Sequence, residues 1–238
     1  MATSTASRRC AFARGCLAAL ALPLVLALAG GAGARAAGDG AVNGARLRAA
    51  AAQDDVATIH RLLAEGTTVD ARDRDGRTAL LVATRANRIA AARALIEAGA
   101  DVNAVDAIHD TPFLYAGASG HREILEMTLA HGADLRSTNR FGGTALIPAA
   151  ERAHVDTVRI LIDAGVAVDH VNNLGWTALL EAIILGDGGA RHQAVVALLI
   201  RAGADPSLAD REGVTPLAHA RRRGFDAIAA TLIAAGAR

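Results

Sequence analysis

The chain has 238 residues, 52% hydrophobic but only 3% aromatic, with 25 basic residues against 24 acidic ones. That is enough for one medium domain or two small ones, packed by Ala, Leu, Ile and Val, which suits closely stacked helices and argues against a β-sandwich or barrel. A formal net charge of +1 gives no electrostatic footing for a nucleic-acid or membrane surface. Every basic residue is Arg, which reads as the coding bias of a GC-rich bacterial genome.

Residues 1–36 differ in character from the rest. Arg8, Arg9 and Arg14 precede an apolar run from Leu17 to Ala29, and no acid occurs before Asp39. The run falls short of the roughly 20 residues of a comfortable membrane span and fits the apolar segment of a cleavable signal peptide. Ala34-Arg35-Ala36 supplies the small-x-small pattern, so cleavage is expected after Ala36, with an uncleaved anchor helix as the alternative. Ser7-Arg8-Arg9 hints at a twin-arginine signal, but the rest of that motif is imperfect and the general secretory route fits better. Both cysteines, Cys10 and Cys16, fall in this leader, so the mature chain has no disulfide, no thiolate nucleophile and no Cys-based zinc site. Losing four arginines leaves 21 Arg against 24 acids. The expected location is the periplasm or the outside of the cell, with no membrane attachment after cleavage.

A short linker is expected over 37–41, and an N-terminal capping unit over 42–71. From there a pattern repeats. A Thr-(Ala/Pro)-(Leu/Phe) triplet begins at Thr78, Thr111, Thr144, Thr177 and Thr215, at steps of 33, 33, 33 and 38 residues. An independent mark, a glycine, recurs at Gly66, Gly99, Gly132, Gly165, Gly203 and Gly236 in the same phase and with the same five-residue excess. The Thr is expected to cap a first helix, with Pro112 and Pro216 at its first position. The alanines five residues on (Ala83, Ala116, Ala149, Ala182, Ala220) let neighbouring helices approach. A second helix is read from apolar spacing before each late glycine, which ends it in a left-handed conformation. Asp, Asn and Gly between that glycine and the next Thr predict tight turns. Units are therefore read over 72–104, 105–137, 138–170, 171–208 with an insertion near 186–190, and 209–238 as the C-terminal cap.

A unit of turn, helix, turn, helix repeating every 33 residues resembles the ankyrin repeat. The resemblance rests on Gly76-Arg-Thr-Ala-Leu80, Asp110-Thr-Pro-Phe113, Gly142-Gly-Thr-Ala-Leu146, Gly175-Trp-Thr-Ala-Leu179, Gly213-Val-Thr-Pro-Leu217 and Ala98-Gly-Ala-Asp-Val-Asn-Ala104. It covers residues 42–238 and implies an all-α solenoid of helix-turn-helix units joined by β-turn or hairpin fingers. Two departures stand out. The family's histidine after Thr-Pro-Leu is replaced by Leu81, Leu114, Ile147, Leu180 and Ala218, and His109 replaces a turn glycine, so that turn is expected to differ in shape.

No metal-ligand spacing, P-loop or G-x-S-x-G is present, and no cofactor is implied. His121 and His154 match the family's structural loop histidine. Gly186-Asp187-Gly188-Gly189 lacks the Lys-Ser/Thr of a phosphate loop and reads as a flexible insertion. The resemblance implies a non-catalytic module, monomeric, that binds another protein through its turn tips and first helices on the concave side. Positions matching that surface are Ile108, Asp110, Tyr115, Phe141, Arg152, Leu174, Trp176, Glu181, Ile184, Leu185 and Val214, with Trp176 and Phe141 as anchors. An exported effector or an immunity protein against a toxin is the alternative. An enzyme would need clustered buried titratable groups, which the sequence does not display.

Overall fold

The computed structural model describes residues 31–238, with side-chain surroundings from residue 40 onward. The expected leader therefore lies outside the described residues as far as residue 30. No helix among the described residues is long and apolar enough to cross a membrane.

Six helix pairs follow one another, with no strand among the described residues. The first pair is α1 (Gly31–Ala52) and α2 (Val56–Ala64), and the second is α3 (Ala79–Arg85) and α4 (Ile89–Glu97). Then come α5 (Pro112–Ser119) with α6 (Arg122–Ala130), and α7 (Leu146–Glu151) with α8 (Val155–Asp163). Last are α9 (Ala178–Ile184) with α10 (Ala190–Arg201), and α11 (Pro216–Arg222) with α12 (Asp226–Ala234). First helices pack on first helices and second on second, so the chain is a two-row stack in which each unit meets only its neighbours.

The stretch 37–41, expected as a linker, is helical. Gly38, Asp39 and Gly40 disfavour a helix there, but the stretch leads into the Ala-rich turns before Ala52, and α1 docks closely: a Cβ on Gly44 would lie 2.9 Å from that of Ala71.

Close packing between first helices follows from small residues. Ala83, Ala116, Ala149, Ala182 and Ala220 are all fully buried beside Leu80, Phe113, Leu146, Leu179 and Leu217. The second helices contribute Leu95, Leu125, Leu161, Leu199 and Leu232 to the same continuous core. The six late glycines sit at φ between +82° and +96°, as left-handed helix terminators.

Each finger is built by one Asx side chain. Oδ1 of Asp73, Asp106, Asn139, Asn172 and Asp210 accepts from the backbone N–H groups two and four residues on. The backbone N–H of the same residue donates four residues on, as from Asn172 to the Trp176 carbonyl at 3.0 Å. His109 does not change this shape. It takes the glycine's left-handed conformation at φ +62°, and Asp106 N–H still meets the Asp110 carbonyl at 2.9 Å. Adjacent fingers join through Ala107 N–H to Asp75 O and Asn173 N–H to Phe141 O, both 2.8 Å.

Four of the five threonines cap as expected, with Oγ1 of Thr78, Thr111, Thr177 and Thr215 accepting from the N–H three residues on at 3.1–3.3 Å. Thr144 does not, although it is 2% exposed; its hydroxyl has no partner. The cause is Pro148. Without an N–H there, the Thr144 carbonyl loses its helical donor and takes Ile147 N–H instead, at 3.2 Å. The hydroxyl is thereby deprived, and α7 starts a residue late and is the shortest helix described.

The insertion is fastened rather than free. Its extra residues lengthen α10 to 12 residues, and the remaining loop is held from both sides. His192, 8% exposed, donates from Nε2 to the Glu151 carbonyl at 2.8 Å while Nδ1 lies 2.7 Å from Asp187 Oδ1. Arg223 from the next unit binds the carbonyls of Ile184 and Gly186. Gly188, at φ +69°, lies against the Phe225 ring, where a Cβ would come within 2.4 Å.

Candidate functional site

The stack leaves a groove of about 490 Å³ between the fingers and first helices of the second to fourth full units. Its rim is apolar. Ile108, Phe141 and Leu174 come from three successive fingers and Leu185 from the end of α9, and they are 41%, 49%, 47% and 51% exposed. The fingers place Ile108, Phe141 and Leu174 there because the Asx turn holds its first residue inward, buried at Asp106 and Asn172, and turns the residue two positions on outward.

The floor is polar, and its chemistry follows from what faces the spare atom of each Asx. In the second full unit Asp106 Oδ2 meets Arg85 at 3.3 Å, and the same guanidinium holds Asp110 at 2.9 Å. That guanidinium also lies 5.1 Å from the Tyr115 ring centre. Burial pushes the Asp110 carboxyl above its ordinary value, with Asp106 adding to the push, and Arg85 opposes both. In the fourth full unit Asn172 Nδ2 donates to Glu181 Oε1 at 2.8 Å. Glu181 is 6% exposed, and burial, then repulsion from Glu151, raises its pKa to about 7 against the pull of Asn172 and Arg152. In the last unit the same place is filled by His219, donating to Asp210 Oδ2 at 2.7 Å. In the third full unit it is filled by Pro148, whose side chain accepts nothing, and among the described residues Asn139 Nδ2 has no partner.

Eight of the eleven residues expected from the sequence line this one groove: Ile108, Asp110, Tyr115, Phe141, Arg152, Leu174, Glu181 and Leu185. Trp176, Ile184 and Val214 do not. The groove closes at the finger of the fourth full unit, and Trp176 is half-buried beyond its lining. Of Trp176 and Phe141, only Phe141 lines the groove, with Leu174 from the next finger. The arginines of the groove are already engaged: Arg152 donates to the Ala118 carbonyl at 2.6 Å, and Arg140 stacks 4.6 Å over Phe141.

Sequence reasoning missed Asn139, Asn172 and Pro148, whose signals were present. Asx residues at a 33-residue period carry a spare polar atom, and a proline inside a first helix cannot satisfy it. Three acidic side chains line the groove, Asp110, Glu151 and Glu181, and of these only Glu181 is buried. His121, as expected, is structural: Nδ1–H donates to the Thr84 carbonyl at 2.9 Å, and burial lowers its pKa despite that bond. Among the described residues no three His, Cys, Asp or Glu side chains are grouped to hold a metal ion.

Stacked helix pairs tied by Asx fingers define a repeat-built interaction scaffold. The ankyrin-repeat family model (three copies) matches residues 22–106, 47–139 and 113–210, and the chain belongs to that family. A crystallised ankyrin repeat domain (ABAYE2397) from Acinetobacter baumannii AYE is 65% identical, with TM-score 0.79, covering 81% of this chain and 98% of that one. The ankyrin repeat protein EF0377 is 43% identical, with TM-score 0.75, covering 79% and 96%. Ankyrin repeat protein YahD of Escherichia coli (strain K12) is 60% identical over 58 residues, which is 24% of this chain and 29% of YahD. The chain thus matches under a third of that curated relative's length. Ankyrin repeats are generally non-catalytic modules for protein–protein interaction.

Proposed function

We propose that this protein holds a partner protein across the groove on the concave side, acting as a monomer in the periplasm or outside the cell. The observation that carries the reading is the rim. Four large apolar side chains, each more than 40% exposed, converge on one depression with a polar floor. Contiguous exposed apolar surface with a polar surround is what partner-binding faces offer, and aromatic side chains such as Phe141 are their usual anchors. The family's general role supports binding rather than catalysis. Export is supported by the arginines before the Leu17–Ala29 run and by Ala34-Arg35-Ala36. An effector or immunity protein would use the same surface and differ only in its partner.

The test is affinity capture from the native cell envelope with wild type, a Phe141→Asp, Leu174→Asp double variant, and an Arg159→Asp control on the exposed side of α8. A partner held by wild type and control but lost from the double variant is expected. A partner set unchanged by the double variant refutes the site.

A further inference from the structure

We propose that the groove floor receives one basic side chain of the partner, an arginine or lysine seated between the carboxylates of Glu181 and Glu151, with the apolar residues flanking it packed on Phe141 and Leu174. This rests on the groove being the binding face and adds what it recognises.

Glu181 is more than nine-tenths buried yet lines the groove, and among the described residues only Asn172 donates to it, at Oε1. Glu151, on α7, lines the same groove and makes no ion pair among the described residues. The two carboxyls repel, which is part of why Glu181 holds its proton up to about pH 7.

Cations surround the pair, but other groups hold most of them. Arg152, the residue after α7, keeps its charge and lowers the Glu181 pKa, but its guanidinium is anchored on the Ala118 carbonyl and pairs with neither carboxylate among the described residues. On α3, Arg85 is held by Asp106 and Asp110. In the finger before α7, Arg140 lies over Phe141. On α10, Arg191 and His192 bind the carbonyls of Ala153 and Glu151. On α11, His219 faces Asp210, and Arg223, the residue after it, binds loop carbonyls. An incoming guanidinium or ammonium would supply the counter-charge, and charge-assisted hydrogen bonds in a desolvated site are strong and selective. Asn139 Nδ2, free in the same groove, can donate to a backbone carbonyl of the same segment.

The test is to pan the immobilised protein against a displayed library of short random peptides, then titrate synthetic copies of the selected ones. The targets are wild type, Glu181→Gln, Phe141→Asp and Arg159→Asp. Gln retains the oxygen that accepts from Asn172, so its fold is preserved. Selected peptides are expected to share one Arg or Lys with apolar neighbours. Exchanging that residue for citrulline or norleucine, or Glu181 for Gln, is expected to weaken binding roughly tenfold or more. Binding is also expected to release a proton from the wild type near pH 7, seen as a heat that varies with the buffer's ionisation enthalpy, and none from Glu181→Gln. Peptides lost on Phe141→Asp that carry no basic residue, or that ignore Glu181→Gln, overturn this proposal and leave the groove as the binding face. Peptides that ignore Phe141→Asp as well overturn both.

Discussion

Replacing Glu181 by Gln should change how stability depends on pH. The Glu181 carboxyl moves from 4.5 to about 7 on folding, with burial as the largest cause and the Glu151 charge next. A raised carboxyl pKa means the native state binds the proton more tightly than the unfolded chain. Its contribution is therefore fully present below pH 4.5 and lost as pH rises through about 7. At about 1.4 kcal/mol per unit, the cost of having Glu rather than a neutral group is about 1 kcal/mol near pH 5 and about 3 kcal/mol near pH 8. Glu181→Gln removes this cost and keeps the Asn172 hydrogen bond. Urea titrations of both proteins between these limits are the assay. The depressed pKa values of His121 and His154, both caused first by burial, add an acid-side slope common to both proteins, and it cancels in the difference. The variant should gain on the wild type by about 2 kcal/mol from the acid to the alkaline end. Parallel curves would show that Glu181 ionises freely in the folded protein, and the buried-carboxyl reasoning would fail.

Three further outcomes follow from the local geometry. His109→Gly should stabilise the protein by about 0.5–1 kcal/mol in thermal or urea unfolding, since His109 holds a left-handed conformation that glycine adopts without strain. Thr144→Ala should be near neutral or slightly stabilising, whereas Thr111→Ala and Thr177→Ala should each cost about 1 kcal/mol, because only the latter two hydroxyls cap a helix. His192→Ala should speed amide hydrogen exchange across residues 186–190 while leaving 72–104 unchanged, since His192 ties that loop to α7 and coupling in a stack is to nearest neighbours.

The stack itself was legible because its signals are local and repeated. A capping Thr, a buried Ala and a terminating Gly at a fixed period each have one structural meaning, and together they set the register of every helix pair. Most of the groove rim was legible for the same reason, since a position relative to Thr in one unit faces the same way in the next. What failed to read through were consequences of contact between units. Pro148 looks like a single helix-disfavouring residue, yet it also strands the Thr144 hydroxyl and leaves Asn139 Nδ2 without a partner. Glycines 186, 188 and 189 look like flexibility. The loop is instead pinned by His192 from within its own unit and by Arg223 from the next, 37 residues from Gly186. Trp176 had the right residue type for an anchor, but of its finger only Asn172 and Leu174 line the groove, and Trp176 is half-buried beyond that lining. Burial of Glu181 depends on the depth of the groove, which no periodicity encodes.

The central claim is that a partner lies across the groove. The most direct measurement is site-specific photocrosslinking in the native cell, with benzoylphenylalanine placed in turn at Phe141, at Leu174 and at Arg159. The account predicts one shared protein adduct from the two groove positions and none from Arg159, which is exposed on α8 away from the groove. An adduct formed equally at Arg159, or only there, would contradict it.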